Sequence, residues 1–203
     1  MEIPALRAEL NSTSAESYVD SKILGVVPWI FASDAEAFKS WKQRLSKETG
    51  LELGSIFVVG SAATGFSLSP RKPGRAFRTL SVTNSDRSDI DLAIASEDLF
   101  IAAWITVLNI DRSVKSAKPD DYNEKMREGI YWGHVSEKVI PRGTEVSRRL
   151  MVLKASCTRE LPFMGYSVSS RLYRRRLDLR GYQVWSIRKL RSALNTTGVG
   201  HEN

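Results

Sequence analysis

The stretch Ser88-Asp89-Ile90-Asp91-Leu92-Ala93-Ile94 alternates carboxylates with apolar residues and then turns continuously apolar. That is the pattern of a strand leaving a core at one end. Successive side chains of an extended chain point to opposite faces, so Asp89 and Asp91 share a face while Ile90 and Leu92 turn inward. The two carboxylates then stand about 6 to 7 Å apart along the strand, a spacing that lets them bridge one or two hard cations. A second short apolar run, Ile56 to Val59, ends at Gly60-Ser61 and reads as a buried strand closed by a tight bend.

The remaining periodicities are mostly helical. Ser33 with Glu36 forms a capping box, after which Phe38, Trp41 and Leu45 recur at helical spacing until Gly50 stops the run. Ser96, followed by Glu97 and Asp98, opens a helix whose apolar stretch, Leu99 to Leu108, predicts burial all round. Val146, Leu150 and Leu153 place a helix over Thr144 to Ala155, and a short helix is expected around Asn123 to Glu128, followed by a packed Tyr131-Trp132 pair. Tyr166 to Arg174 alternates like a half-buried strand with Tyr166, Val168 and Leu172 on one face. Leu177, Gly181, Val184, Ile187, Leu190 and Leu194 trace a final amphipathic helix. The connection Ala62 to Arg87, rich in Ser, Gly, Pro and Arg, is expected to be irregular, with a hairpin between Phe77 and Val82. Together these predict an α/β (α+β) fold, a mixed central sheet flanked by helices, as one domain over residues 1–203 with its core about 33–195.

A chain of 203 residues with 42% apolar and 26% charged residues is ordinary globular material, neither disordered nor fibrous. Its longest apolar runs, Ile23 to Phe31 and Leu99 to Leu108, are too short to span a bilayer, so no membrane partner is expected. Met1 to Ser14 carries acids and no apolar export core, and the lone Cys157 has no internal disulfide partner; both fit a cytoplasmic protein. The net charge of +7 is concentrated: Arg148 to Arg191 holds twelve basic residues against Glu160 and Asp178. Such a patch attracts free nucleotide or a nucleic-acid backbone, while a solvated surface is the plain alternative. Arg174-Arg175-Arg176 with Tyr173 suits nucleic acid, but no helix-turn-helix or RNA-binding signature accompanies it, and the favoured use is intramolecular, with Arg171 or Arg174 reaching the nucleotide from the adjacent strand. Phe66 stands where a P-loop needs lysine, excluding that NTPase class. His134 and His201 are isolated, so no zinc spacing exists, and the pattern G-x-S-x-G of an acyl-transfer nucleophile is absent.

The order helix, strand ending in Gly-Ser, connection, strand with Ser-Asp-x-Asp resembles the nucleotidyltransferase superfamily typified by DNA polymerase beta, including its minimal bacterial members. The matching residues are Gly60, Ser61, Gly65, Ser88, Asp89 and Asp91. The run to Ser96, with Leu99-Phe100, Trp104, Arg171-Leu172-Tyr173-Arg174 and Leu179-Arg180-x-Tyr182, looks like a little-described subgroup of such proteins. The resemblance implies Mg2+ (or Mn2+) held by Asp89 and Asp91, with Gly60, Ser61, Gly65 and Ser88 around the phosphates of an NTP. It implies transfer of a nucleotidyl group to a hydroxyl acceptor with release of pyrophosphate. Nucleic acid or another polyanion is the acceptor that the basic third suggests.

Three departures from that pattern are visible. Ser61 and Asp89 lie 28 positions apart, where the superfamily commonly has a dozen or so. The insertion brings Arg71, Lys72, Arg75, Arg78 and Arg87 into the neighbourhood, where they can grip phosphate. The third carboxylate that active members supply from a later strand is replaced by Ser167, Ser169 and Arg171, leaving Glu137, Glu145 and Asp178 as substitutes. No acceptor-binding module follows the core. A catalytically inactive nucleotide or nucleic-acid binding module, of the kind found in toxin-antitoxin or antiphage systems, is therefore the alternative function.

Overall fold

Local signals set most of the element boundaries in the computed structural model, which describes residues 1–79, 87–109, 126–127, 129, 131–159 and 161–197. The chain opens with α1 (Ile3–Asn11), begun by Pro4 in its first turn, and α2 (Ala15–Val19), capped by the Ser14 hydroxyl accepting from the Ser17 amide. A π-helical turn (Asp20–Leu24) follows. Helix α3 (Ala35–Thr49) ends at Gly50, whose φ of 70° supplies the left-handed cap. Then come β1 (Ile56–Val59), the single turn α4 (Ser61–Thr64), β2 (Ile90–Ala95) and α5 (Glu97–Leu108). Strand β3 (His134–Ser136), α6 (Glu145–Thr158), β4 (Val168–Tyr173) and α7 (Arg176–Thr197) complete the order.

The molecule is α+β, with a four-stranded mixed sheet in the order β1-β2-β4-β3. Strand β1 runs antiparallel to β2, β2 parallel to β4, and β3 antiparallel to β4. Because side chains alternate, the sheet sorts its residues into two faces. Ile56, Val58, Ile90, Leu92, Ile94, Val168 and Leu172 join one core with Trp41 and Leu45 of α3, Leu99 and Val107 of α5, and Leu150 and Leu153 of α6. Phe57, Val59, Ala93 and Tyr173 join another with Leu6 and Leu10 of α1, Tyr18 and Val19 of α2, and Leu179, Ile187 and Leu190 of α7. Asp91 stands on this second face, between Val59 and Ser169.

Several expectations are corrected. Asp34, not Ser33, caps α3 by accepting from the Ala37 amide at 2.9 Å, while Ser33 adopts φ 68° in the turn before it. Helix α5 is not buried all round: Leu99, Ala103 and Val107 face the core, but Ile101, Ile105 and Leu108 are exposed. Of the Tyr131-Trp132 pair only Trp132 packs, and Tyr131 is 78% exposed. The connection after β1 closes earlier than expected, through a bridge between Phe66 and Ala76. Part of the hairpin expected between Phe77 and Val82, and most of the short helix expected around Asn123 to Glu128, lie outside the described residues, although Met126 and Arg127 are helical. Among the described residues no helix is long and apolar enough to cross a membrane.

Candidate functional site

Sheet register assembles the site. Antiparallel pairing sets Val59 opposite Asp91, so the Gly60-Ser61 bend that follows β1 lies against the first turn of side chains on β2. Gly60 has φ 66° and ψ −152°, a conformation almost closed to residues with a side chain. A Cβ built on Gly60 would lie 2.8 Å from Asp91 Oδ2, so the carboxylate occupies the space that a side chain would need. The bend and Asp91 thus meet, although Gly60 and Asp91 lie 31 positions apart in sequence.

On the other side of β2, parallel pairing places Ser169 opposite Asp91, and the Ser169 hydroxyl donates to Asp91 Oδ1 at 2.6 Å. Asp89 is exposed, one residue before β2, and its charge acts on Asp91. Asp91 is also open to solvent, yet protein surrounds it closely enough that desolvation is the largest influence on its carboxyl, pushing the pKa up. The Ser169 hydrogen bond, Arg171 and Lys138 pull in the opposite direction, and Asp89 adds to the rise. The carboxylate is therefore held where its charged form is disfavoured, chiefly by desolvation.

The other expected site residues sit as follows. Ser61 opens α4 directly after Gly60. Gly65 closes α4 with φ 81°, and the Trp29 ring lies over it, 2.7 Å from where a Cβ would stand. Ser88 is tied to the preceding connection, its hydroxyl accepting from the Arg78 amide at 3.0 Å. None of the three substitute acids joins the pair. Glu137 lies on the opposite sheet face, accepting from the Ser170 amide at 3.1 Å and from Lys154 Nζ at 2.9 Å. Glu145 is at the start of α6, 3.9 Å from Arg148. Asp178 lies past the far end of β4, held by Arg174 and Arg175 at 3.2 Å. Among the described residues no group of three or more His, Cys, Asp or Glu is placed to hold a metal.

Of the two arginines expected to reach the site from the adjacent strand, Arg171 acts on Asp91 while Arg174 pairs with Asp178; sequence reasoning missed the Ser169 hydrogen bond and the influence of Lys138, because strand register leaves no local mark in a chain. It also overstated the free charge of the C-terminal third. Arg174, Arg175, Arg180, Arg188, Lys154 and Arg159 all face carboxylates, Arg180 with Asp20 at 2.7 Å and Arg188 with Glu16. No protein-family model, curated protein or solved structure matches this chain.

Proposed function

We propose that this chain is a nucleotidyltransferase of the DNA polymerase beta-like kind, binding an NTP with Mg2+ or Mn2+ and transferring its nucleotidyl group to a hydroxyl acceptor. One observation supports the reading: Gly60 and Asp91 share a single space, Oδ2 standing 2.8 Å from the missing Cβ, so the bend and this acid meet. The side chains proposed as ligands, Asp89 and Asp91 with the hydroxyls of Ser61 and Ser169, all offer hard oxygens, which would suit an ion that retains several waters. When bound, the ion would supply charge neutralisation for the triphosphate.

The chain's own groups have separable tasks. Asp89 and Asp91 would hold the ion, and Ser169 fixes the orientation of Asp91. The Ser61 hydroxyl and the amides of the bend can donate to phosphate oxygens. In the reaction the acceptor oxygen bonds to the α-phosphorus, the bond to the bridging oxygen breaks, and pyrophosphate leaves as the hydroxyl proton passes to water. The test is pyrophosphate release from each labelled NTP with Mg2+ or Mn2+. Release that disappears in Asp89→Ala with Asp91→Ala supports the reading; none from any NTP overturns it.

Ser169 favours a second reading. It occupies the rung beside Asp91 where a third carboxylate is expected, so the site would bind metal-nucleotide without turning it over. Nucleotide binding without pyrophosphate release would identify this case, and Ser169→Asp would then be expected to create slow release.

A further inference from the structure

Trp29 is 47% exposed, the most open of the chain's five tryptophans, and it stands at the far end of the single helical turn that begins at the Gly60 bend. Helix α4 joins two contacts that each need a missing Cβ. Asp91 Oδ2 fills that space at Gly60, before the first residue of α4, and the Trp29 ring fills it at Gly65, after the last. Five residues at the helical rise put about 7 to 8 Å between the two glycines, a span that a ribose bridges between a phosphate and its base. A second route leads to the same place. The Phe77 amide donates to the Gly65 carbonyl at 2.7 Å, and the Phe77 ring meets Trp29 at 5.5 Å. The next residue, Arg78, donates its amide to the hydroxyl of Ser88, which adjoins Asp89.

The chain around Trp29 presents this ring without burying it. Trp29, Ile30 and Phe31 form one 3-10 turn after Pro28, and Phe31 anchors it in the core among Phe38, Trp41 and Phe163. Ala32 and Ser33 follow at φ 49° and 68°, the two non-glycine residues with positive φ among the described residues. Side chains rarely accept that region, and backbone held there by its surroundings clusters at binding sites. The indole has Gly65 under its five-membered part and Phe77 tilted against it at 51°, so among the described residues no ring stacks flat on it. Nearly half of a large apolar ring is left in water, and a flat base laid on it would remove that surface from water.

We propose that Trp29 is the platform for the base of the bound nucleotide, which stacks on the open indole while its phosphates lie at the Gly60-Ser61 bend and the acid pair. This rests on the nucleotide reading above and deepens it by giving the base a subsite of its own. Stacking is tolerant of base identity because every base has a π-face, so all four NTPs are expected to use it. The experiment compares calorimetric binding of each NTP and of inorganic tripolyphosphate, which has no base, to the full chain with Mg2+. The wild type is expected to hold the NTPs about fivefold or more tighter than tripolyphosphate, and its tryptophan emission to be quenched by NTP. Trp29→Ala should weaken the NTPs to the tripolyphosphate level without weakening tripolyphosphate. Trp29→Phe, which keeps a flat ring in the same turn, should recover most of the NTP affinity while the emission change is lost. If the wild type holds neither ligand, the metal-nucleotide reading fails and the platform falls with it. If it holds both, and Trp29→Ala weakens neither or weakens both alike, the role of the ring alone is overturned.

Discussion

Asp91 is held in a position that disfavours its charge, and the direction of that effect makes a prediction. A carboxyl whose folded pKa is raised binds more protons folded than unfolded, so stability falls as pH rises through the window from the ordinary carboxylate value to the raised one. Asp91→Asn removes the penalty and keeps an acceptor for Ser169. Its metal-free urea midpoint at neutral pH is expected to equal or exceed that of the wild type, with a flatter acid-range profile. Mg2+ with NTP should raise the wild-type midpoint, by about 2.7 kcal/mol in stability at a hundredfold excess over Kd, and leave the variant where it was. Gly60→Ala tests the neighbour: forcing a side chain into φ 66° against Oδ2 should cost about 1–3 kcal/mol and weaken that metal-nucleotide shift. A variant with wild-type stability and an undiminished shift would show that the contact does not matter.

At the scale of elements, β3 carries the clearest pH dependence. His134 is 3% exposed and packs edge-on against Tyr173 and Tyr182 at 5.5 and 5.1 Å. Burial, reinforced by the positive charge of Arg171, pushes its pKa down to about 3. The unfolded chain gains a proton near the ordinary value of about 6.5, so stability should fall by up to about 1.4 kcal/mol per pH unit below that value and level off near pH 3. His134→Leu should flatten this profile in urea titrations repeated across the acid range; an unchanged slope would locate the sensitivity elsewhere. The same strand shows where sequence reading stops. Elements with local punctuation were legible: Gly50 ends α3, Ser96 caps α5, Thr144 caps α6, and Ile56 to Val59 is a strand. Strand β3 has three residues, too few for a period, and exists because β4 offers it an edge. The exposed stripe of α5 was misread because composition does not say which side of an apolar helix finds a partner. At the site, alternation suggested the aspartate pair, but Asp89 falls one residue before β2, and the contacts of Asp91 with Gly60 and Ser169 depend on pairing between distant strands.

Across the whole molecule, the N-terminal helices hold α7 against the sheet face that carries Asp91. Two kinds of contact do this: Leu6, Leu10 and Tyr18 are buried in the second core, and the Asp20–Arg180 and Glu16–Arg188 pairs lie at the surface, with Arg191 donating to the Thr13 carbonyl at 2.7 Å. The magnitudes are unequal. Exposed ion pairs contribute little after solvent and salt screening, whereas truncating a fully buried leucine loses both transfer energy and packing. Leu10, at 0% exposure, is therefore the stronger anchor. Leu10→Ala is expected to cost about 2–5 kcal/mol in urea unfolding, and Glu16→Gln to leave the midpoint close to the wild type at low and high salt alike. If the order were reversed, with Glu16→Gln severe and strongly salt-dependent, charge rather than burial would be what seats α7. The Trp132, Tyr182 and Trp185 cluster packed on α7 would then be expected to shift with ionic strength, which tryptophan emission would report.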